Sequence, residues 1–444
     1  MRFLLSAGEA SGDTYGAQLM DALHQLAIAP GQANRGVASV QTSGANAEPT
    51  FFGMGGEKMR AAGCELLVHA NEVAVVGLVE VLTHLPDIRR RFKHLVAEAA
   101  RRKPDAAVLI DFPDFNLRLA RELHKLGIPV FYFVSPQIWA WRTGRVKQIQ
   151  KYVRKMIVIF PFEQEFYRRH GVEVSYVGHP LAYAPAPQVT REEFAVRHGL
   201  NPRKQWIALL PGSRRKEVHL NLPVMLEAAQ LLRRENDYEF ILPVASTLKQ
   251  EWLQEQIEQT QGLKPQSGSD LNAALKGPSS TGTLEAHSRM SSSDSSTAGN
   301  SITSVRNMRS AIHLTDNARA TLMHARAAVV ASGTATVETA LSGTPFVVVY
   351  RLASLTWILG RRLVKLDTFA MPNLIAGKKI VTELIQKDFT AANVVRELNA
   401  IIPDGPARAQ MLSALKMVQN KLRDNAGESP ALQAAREIVQ GINL

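Results

Sequence analysis

Two carboxylates in the first half of the chain stand where a buried strand is predicted to end. In VLIDFPDFN (residues 108–116), Asp111 and Asp114 follow a run of apolar residues and precede the helical pattern LRLARELHKLG. In an open α/β sheet, ligands bind in the crevice outside the carboxyl ends of the strands. We therefore predict that Asp111 is a general base, which takes a proton from a hydroxyl nucleophile. The alternative for Asp114 is a structural role as the N-cap of the following helix.

A glycine-rich turn close to the N-terminus is a second candidate site. SAGEASGD (residues 6–13) follows the strand candidate RFLLSA and precedes the helical pattern TYGAQLMDALHQL. The turn is neither a P-loop nor a G-x-G-x-x-G fingerprint. Its acids would repel a phosphate and suit the hydroxyl groups of a sugar, so we predict that it binds an acceptor through Gly8, Glu9, Ser11 and Asp13. The alternative for Asp13 is the N-cap of its own helix.

A loop in the second half of the chain is suited to a diphosphate. In IALLPGSRRKEV (residues 207–218), a strand candidate ends in Gly212 and Ser213, followed by Arg214 and a helical pattern. Small residues let a ligand approach the backbone closely, and a guanidinium presents a forked cation to phosphate oxygens. We predict that these three residues bind the phosphates of a nucleotide sugar.

A second loop of this kind follows farther along the chain. VVASGTATVETAL (residues 329–341) runs from a strand candidate through Ser332, Gly333 and Thr334 directly into a helix, whose free N–H groups and dipole favour an anion. Glu338 lies one turn into this helix, where a carboxylate could accept hydrogen bonds from both ribose hydroxyls. Its alternative is a first-turn acid that complements the helix dipole.

Apolar strand candidates alternate with helical patterns along the whole chain, which is typical of parallel-sheet α/β domains. We predict two Rossmann-like domains facing a cleft, residues 1–184 on the acceptor side and residues 185–444 on the nucleotide-sugar side, with the boundary in HPLAYAPAPQVT. Residues 262–310 are dominated by Ser, Thr, Gly and Asn, and we predict a disordered insertion there. A shorter polar insertion spans residues 31–47. The strand candidates are RFLLSA, AAVLIDF, PVFYFV, KMIVIF, SYVGH, WIALLPG, EFILPV, AAVVASG and PFVVVY.

The bulk properties favour a cytoplasmic protein. Cys64 is the single cysteine among 444 residues, so neither a disulfide framework nor a thiolate metal cluster is expected. No apolar segment is long enough to span a bilayer, and the N-terminus lacks a signal-peptide core. No further acid or histidine stands at ligand spacing near Asp111, so we expect neither a metal nor a cofactor.

The formal charge of +12 is distributed unevenly. Residues 84–170 hold 18 Lys and Arg against 8 Asp and Glu. Residues 142–155 read as a helix with an apolar stripe opposite a basic stripe of Lys147, Lys151 and Arg154. Such a surface attracts phosphate in nucleic acid, anionic lipid or a phosphorylated substrate, and the plain alternative is a solvated face. Nucleic acid is disfavoured, since the cations are not interleaved with stacking aromatic residues.

The motifs, taken in order, resemble those of bacterial lipid A disaccharide synthases, a family of inverting glycosyltransferases with the two-domain GT-B fold. The resemblance covers essentially the whole chain outside the two insertions, and SPQIWAWR and IDFPDFN are its most specific parts. The matching segments are SAGEASGD, GMGG, VVGLVEVL, IDFPDFN, FVSPQIWAWRTGRVKQI, FPFEQEFY, VGHPL, LLPGSRRKEV, SGTATVETAL and MPNLIAG.

The resemblance implies a reaction and its participants. UDP-2,3-diacylglucosamine would donate its sugar to the 6-hydroxyl of 2,3-diacylglucosamine 1-phosphate, giving the β-1,6 disaccharide 1-phosphate and UDP. Asp111 matches the essential acid of the family, Arg214 its essential arginine, and Glu338 and Asn373 its nucleotide-side residues. Asn373 follows from the resemblance alone, because MPNLIAG reads locally as a turn.

The resemblance also implies a location. Family members work at the inner face of the cytoplasmic membrane, where anionic lipids attract basic helices. The apolar segment VAVVGLVEVL (residues 73–82) would then take up acyl chains or enter the bilayer, and its alternative is an ordinary buried element. The sequence does not determine the oligomeric state, and a homodimer is one possibility.

Two other classes compete with this interpretation. A UDP-sugar epimerase, or the transferase that makes the peptidoglycan lipid disaccharide, would share the fold but is not associated with SPQIWAWR and IDFPDFN. A nucleic-acid-binding protein would account for the basic charge alone. His179, in VGHPL, is interpreted equally well as a packed residue at the domain junction or as a functional one.

Overall fold

The computed structural model describes residues 1–28, 48–73, 78–141, 143–262, 312–351, 368–423 and 427–442. The predicted insertion at residues 31–47 lies outside the described residues, and so does the insertion at 262–310 apart from Gly262. The described chain divides into two compact units, the first ending at Pro185 and resuming at Met417, and the second running from Ala186 to Lys416.

The first unit is built on a parallel seven-stranded sheet in the order β3-β2-β1-β4-β5-β6-β7. Its strands are β1 (Arg2–Ala7), β2 (Thr50–Gly55), β3 (Glu65–His69), β4 (Ala106–Ile110), β5 (Val130–Phe133), β6 (Lys155–Val158) and β7 (Val174–Tyr176). Its helices are α1 (Ala10–Ile28), α2 (Glu57–Ala61), α3 (Leu78–Arg102), α4 (Pro113–Lys125), α5 (Ile138–Trp141), α6 (Val146–Tyr152), α7 (Pro161–Arg169) and α8 (Pro180–Tyr183). Short 3-10 turns lie at Ala70–Glu72 and Thr143–Arg145.

Both faces of this sheet are covered, because alternate residues of its apolar strands point to opposite sides. Leu4 of β1 packs in a core cluster with Leu119 of α4 and Ile149 of α6. Leu5, the next residue, packs in the opposite cluster with Leu19 of α1.

The second unit repeats the arrangement with a parallel six-stranded sheet, ordered β10-β9-β8-β11-β12-β13. Its strands are β8 (Trp206–Leu210), β9 (Glu239–Pro243), β10 (Ile312–Thr315), β11 (Ala327–Ala331), β12 (Phe346–Tyr350) and β13 (Glu383–Ile385). Its helices are α9 (Arg191–His198), α10 (Arg215–Glu235), α11 (Gln250–Gly262), α12 (Ala318–His324), α13 (Thr334–Ser342), α14 (Met371–Ala376) and α15 (Ala391–Ile401), with a 3-10 turn at Gln386–Asp388.

The last helices differ from the predicted domain limits. The division between the units falls within α16 (Pro406–Leu422), and α17 (Pro430–Ile442) belongs to the first unit. Ala434 and Ile438 of α17 are buried in the same cluster as Leu19 of α1. The predicted second domain of residues 185–444 therefore does not describe this helix, because its apolar stripe completes the core of the first sheet.

Each sheet reverses its strand order once, between β1 and β4 in the first unit and between β8 and β11 in the second. Ala7 pairs with Ile110, and Leu210 pairs with Val330, so the loops that follow both strands start at the same level of each sheet. Such a switch point is where ligands bind in open α/β sheets.

Several elements differ from the sequence prediction in their limits. Helix α1 begins at Ala10, one turn before the predicted pattern. The basic helix predicted for residues 142–155 is shorter and is confined to α6, where Val146 and Ile149 of its apolar stripe are buried. MPNLIAG forms the helix α14, which ends at Gly377 with a φ of 74°. Residues 74–77 of the apolar segment lie outside the described residues, and residues 78–82 begin α3. Among the described residues, no helix is both long and apolar enough to cross a membrane.

Candidate active site

Asp111 lies directly after β4, at the switch point of the first sheet, in a strained backbone conformation. The φ angles of Asp111 and Phe112 are 47° and 50°, in the left-handed region that few residues other than glycine adopt. Such strain costs of order 1–3 kcal/mol per residue and persists only where the surroundings enforce it. The backbone here therefore has to be held by other groups.

Asn116 and Tyr132 are the groups that hold it. The buried side-chain amide of Asn116 donates to the carbonyl oxygen of Asp111 at 2.8 Å and to those of Ser6 and Ile110 at 3.2 Å. The hydroxyl of Ser6 donates to Oδ1 of Asn116 at 2.7 Å, and the Tyr132 hydroxyl donates to the Asp111 carbonyl at 2.6 Å. Asn116, the last residue of IDFPDFN, thus fixes the backbone of Asp111, a role that the sequence did not indicate.

The carboxyl of Asp111 has the protonation behaviour that a general base needs. Its pKa is raised from 3.8 to about 7, chiefly by burial and also by the charge of Glu9, while the backbone N–H of Phe112 acts in the opposite direction. A pKa near the operating pH allows a group both to accept and to release a proton readily. Glu9 is exposed in the turn after β1, so this turn acts on Asp111 through its charge.

Gly8 is required by the ring of Phe112. A Cβ atom at residue 8 would lie 2.3 Å from two ring atoms of Phe112, so a larger residue would displace the ring. The loop after β1 and the loop after β4 therefore pack together at the switch point, where the ring of Phe112 fills the space left by Gly8.

Asp13 is placed differently from the predicted acceptor contact. Its carboxylate is buried and accepts from the backbone N–H groups of Gly56, Lys58 and Met59 at 2.7–3.0 Å. It therefore caps the start of α2 rather than its own helix, and its oxygens are committed to that turn. Ser11 is exposed in the first turn of α1, while Gly8 lies against the ring of Phe112 and Glu9 acts on Asp111 through its charge.

Asp114 does not cap α4. The N-cap of α4 is Phe112, without a side-chain cap bond, and the exposed carboxylate of Asp114 forms an ion pair with Arg145. The alternative predicted for Asp114 as an N-cap is therefore wrong, because a cation from the segment before α6 takes the carboxylate.

Another buried acid, Glu163, was not predicted. It follows β6 and accepts from Nε1 of Trp139 at 3.2 Å and from the N–H of Phe160 at 3.3 Å. Burial raises its pKa to about 8, because desolvation outweighs these hydrogen bonds, and the charge of Asp111 adds to the shift. The available signal was an acid placed just after an apolar strand, in FPFEQEF, as Asp111 is in VLIDF.

His179 is a packed residue of the first unit. Its Nδ1 accepts from the N–H of Leu181 at 3.2 Å, and its ring lies 5.0 Å from that of Phe160. Burial lowers the pKa of its imidazole to about 3, so the ring is neutral. The structural interpretation of this histidine fits these contacts.

In the second unit, side-chain hydrogen bonds hold the main chain of the loop after β8, which carries the exposed Arg214. Buried Asn221 donates to the carbonyl of Pro211 at 2.9 Å, and Thr247 donates to the carbonyl of Ser213 at 2.5 Å. Gly212 has a φ of 125°, which L side chains rarely adopt. The side chain of Arg214 is 61% exposed and pairs with Glu217.

The loop after β11 stands beside it at the switch point. Gly333, with a φ of 147°, is the N-cap of α13, and both the N–H and the hydroxyl of Thr336 donate to its carbonyl oxygen. Ser332 and Thr334 flank it. Glu338 lies one turn into α13, where burial raises the pKa of its carboxyl. Main-chain groups and one carboxylate thus lie at this edge of the sheet.

Asn373 has a structural role in α14. Its Oδ1 accepts from the N–H groups of Ile380 and Val381, and its Nδ2 donates to the carbonyl of Val381 and to Glu383. These bonds use the hydrogen-bonding capacity of the buried amide. Any effect of Asn373 on the nucleotide would therefore be indirect, through the segment of Ile380 and Val381 that its side chain holds in place. Within the described ranges, no three His, Cys, Asp or Glu side chains are grouped as metal ligands.

Comparison with known proteins identifies the family. A profile of the lipid-A-disaccharide synthetase family matches residues 3–277 and 278–437. The chain belongs to this family. It is a glycosyltransferase that forms the lipid A disaccharide. A lipid-A-disaccharide synthase of Koribacter versatilis is 49% identical over 440 residues, which cover 99% of this chain and 98% of that protein.

Solved structures with much lower identity share the fold of this chain. The calicheamicin glycosyltransferase has a TM-score of 0.52 at 13% identity, covering 100% of this chain and 98% of its own. A UDP-GlcNAc 2-epimerase from Neisseria meningitidis, bound to UDP-GlcNAc, has a TM-score of 0.52 at 11% identity and covers both chains fully. The two parallel-sheet domains are thus GT-B-like. The likeness to the epimerase concerns the fold alone.

Proposed function

We propose that the chain transfers the sugar of UDP-2,3-diacylglucosamine to the 6-hydroxyl of 2,3-diacylglucosamine 1-phosphate, with inversion at the sugar carbon. The hydroxyl oxygen bonds to that carbon, the bond from the carbon to the diphosphate oxygen breaks, and UDP leaves. The hydroxyl proton passes to Asp111. The products are the β-1,6 disaccharide 1-phosphate and UDP.

The protonation state of Asp111 carries this proposal. A carboxyl whose pKa is raised to about 7 by burial and by the charge of Glu9 is a stronger base than an exposed aspartate. The backbone that carries it is held by the side chains of Asn116 and Tyr132, which both donate to the carbonyl oxygen of Asp111. Gly8 and Glu9, in the adjacent loop, are the remaining acceptor-side residues.

The second unit supplies the donor side. The loop of Gly212, Ser213 and Arg214 would bind the diphosphate through N–H groups and a guanidinium. The diphosphate site would extend to the loop of Ser332, Gly333 and Thr334. Glu338 would accept hydrogen bonds from the ribose hydroxyls. Because Arg214 neutralises the charge that develops on the leaving UDP, its loss should reduce turnover.

UDP release by the purified full-length protein tests the proposal. It is measured in detergent micelles with UDP-2,3-diacylglucosamine, with and without the acceptor. We expect release that depends on the acceptor, and an Asp111→Asn variant slowed at least about a hundredfold. Asp114→Asn is the matched control, since this carboxylate is exposed and paired with Arg145. Release without acceptor, or near-normal turnover of Asp111→Asn, would contradict the proposal.

We also propose that the first unit docks on an anionic membrane through one face. Helices α3, α4 and α6 pack side by side on the same core cluster, which leaves their opposite sides to solvent. Membrane attraction is worth about 1 kcal/mol per cation near an anionic surface. The exposed cations of this face are Arg89, Arg90, Lys93, Arg118, Arg121, Lys125, Lys147, Lys151 and Arg154.

Vesicle sedimentation tests the docking face. Binding to phosphatidylcholine vesicles should require added phosphatidylglycerol and weaken with salt. The double variant Lys147→Glu, Lys151→Glu should bind less. A control with the same change of net charge, Lys249→Glu, Lys387→Glu, alters exposed residues of the second unit and should bind normally. Equal loss in both variants would indicate attraction by net charge rather than by this face.

A further inference from the structure

The carboxylate of Glu217 lies among the groups assigned above to the diphosphate. Its Oε2 accepts from the N–H groups of Ser213 at 3.0 Å and of Arg214 at 3.3 Å, and its Oε1 accepts from Nη1 of Arg214 at 3.0 Å. A Cβ atom at residue 212 would lie 2.6 Å from this side chain, so Gly212 is what admits the carboxylate to the loop.

Helix capping accounts for only part of this arrangement. Glu217 is the third residue of α10, and an acid at this position commonly accepts from the N-cap N–H, here that of Arg214. The N–H of Ser213 and the guanidinium lie outside that pattern. Two consecutive N–H groups and a forked cation that converge on one anion form the arrangement that proteins use for phosphate oxygens.

We propose that Glu217 is an internal substitute for the donor's diphosphate and sets donor affinity by competing for the same donors. The inference rests on the proposed function, which places the diphosphate at Gly212–Arg214. Two anions cannot share these donors, so the nucleotide binds only to the fraction of molecules in which Glu217 has moved away. The apparent affinity is reduced by that fraction. After transfer, the return of Glu217 favours release of UDP.

A residue two strands away in the same sheet is consistent with this charge arrangement. Tyr350, the last residue of β12, has a pKa that is raised by burial and by the charge of Glu217, and lowered by Arg214. The carboxylate and the guanidinium are therefore the charges acting at this part of the sheet edge, and a bound diphosphate would replace the first while keeping the second.

Calorimetric titration of the full-length protein with UDP and with uridine tests the inference. Glu217→Gln keeps the shape and one acceptor oxygen but removes the charge. UDP should therefore bind about five- to twentyfold more tightly, as expected if Glu217 occupies the loop in most molecules of the unchanged protein. Uridine, which lacks the diphosphate, should bind unchanged. The matched control is Glu193→Gln, since Glu193 is also the third residue of a helix and accepts from the N–H of Thr190 at 2.9 Å.

Each outcome decides one of the two ideas. Tighter UDP binding confined to Glu217→Gln supports the internal substitute, whereas equal or weaker binding overturns it. Arg214→Ala separates this result from the proposed function. If Arg214→Ala leaves UDP affinity unchanged, the diphosphate does not bind at this loop and the proposed donor site fails. If it weakens UDP binding about tenfold while Glu217→Gln does not strengthen it, only the inference about Glu217 fails.

Discussion

The side-chain amide of Asn116 donates to the carbonyl oxygen of Asp111 over 2.8 Å and so holds the backbone on which the proposed base stands. Both residues belong to one stretch of nine amino acids, yet Asp111 directly follows β4 and Asn116 lies in the first turn of α4. The strand end and the helix start are thereby locked together, and the left-handed conformation of Asp111 is a result of this lock.

Replacing Asn116 should affect the chemical step more than substrate binding. In Asn116→Ala, the backbone of Asp111 can relax from the left-handed region, so kcat should fall by about tenfold or more while the donor KM changes little. Ser6→Ala is a graded control, because it removes only the bond to Oδ1 of Asn116 and leaves the amide donors in place. A KM effect with unchanged kcat would show that Asn116 acts on binding instead.

The pH dependence of kcat/KM should have an acid limb near pH 7. Asp111 must be ionised to act as a base, and its pKa is raised to about 7, so activity should fall as the pH drops below that value. Glu9→Gln removes a negative charge that raises this pKa, so the limb should move to lower pH. A limb between about pH 4 and 5 in the unchanged enzyme would mean that Asp111 has an ordinary aspartate pKa.

The same carboxylate should destabilise the fold at alkaline pH. The folded-state pKa of Asp111 is above its unfolded value, so the cost of burying the charge is absent below about pH 4 and complete above about pH 7. Asp111→Asn should therefore raise the free energy of unfolding at pH 8, on the order of 2–4 kcal/mol, and by little at pH 4. Denaturant titrations at both pH values measure it. Asp114→Asn, which loses an exposed ion pair, should show no such gain.

Glu163 should be replaceable by glutamine but not by alanine. With a pKa raised to about 8 by burial, the carboxyl is mostly neutral at pH 7, and Gln is a neutral group of the same shape. Glu163→Gln should keep most activity at pH 7. Its gain in stability over the unchanged protein should be small below about pH 4.5, grow as the pH rises to about 8 and stay constant above that value, because only the unfolded carboxyl ionises in this range. Glu163→Ala leaves the Nε1–H of Trp139 without this acceptor and should lose about 1–3 kcal/mol. Thermal unfolding across pH distinguishes the two variants, and equal loss in both would contradict a neutral Glu163.

The strands that carry the candidate sites were predictable, because each is a run of apolar residues that ends in small or polar ones. All nine predicted strands are present in the two sheets. The strands at β2, β3 and β13 were not predicted, and the segment of β10, IHLTD, was interpreted only as the approach to a strand. Of these, β3, β10 and β13 lie at sheet edges, where partial exposure weakens the apolar signal, and β2 is interrupted by Gly53 and Gly55.

The amino-acid sequence by itself determined which loops follow parallel strands, and hence that Asp111, Arg214 and Gly333 would stand at the carboxyl edges of their sheets. Local patterns suffice for this, since strand direction and loop position repeat with every βα unit.

Only the tertiary structure decided what each polar group in those loops contacts. It turned Asp13 toward α2, paired Asp114 with Arg145, buried Asn373 among backbone groups, and placed Glu217 where an anion is expected. It also placed α17 on the core of the first unit. These contacts join residues far apart in the chain or depend on distances of a few ångströms. Hydrogen bonds and desolvation are decided at that scale, whereas sequence patterns specify only the element and its face.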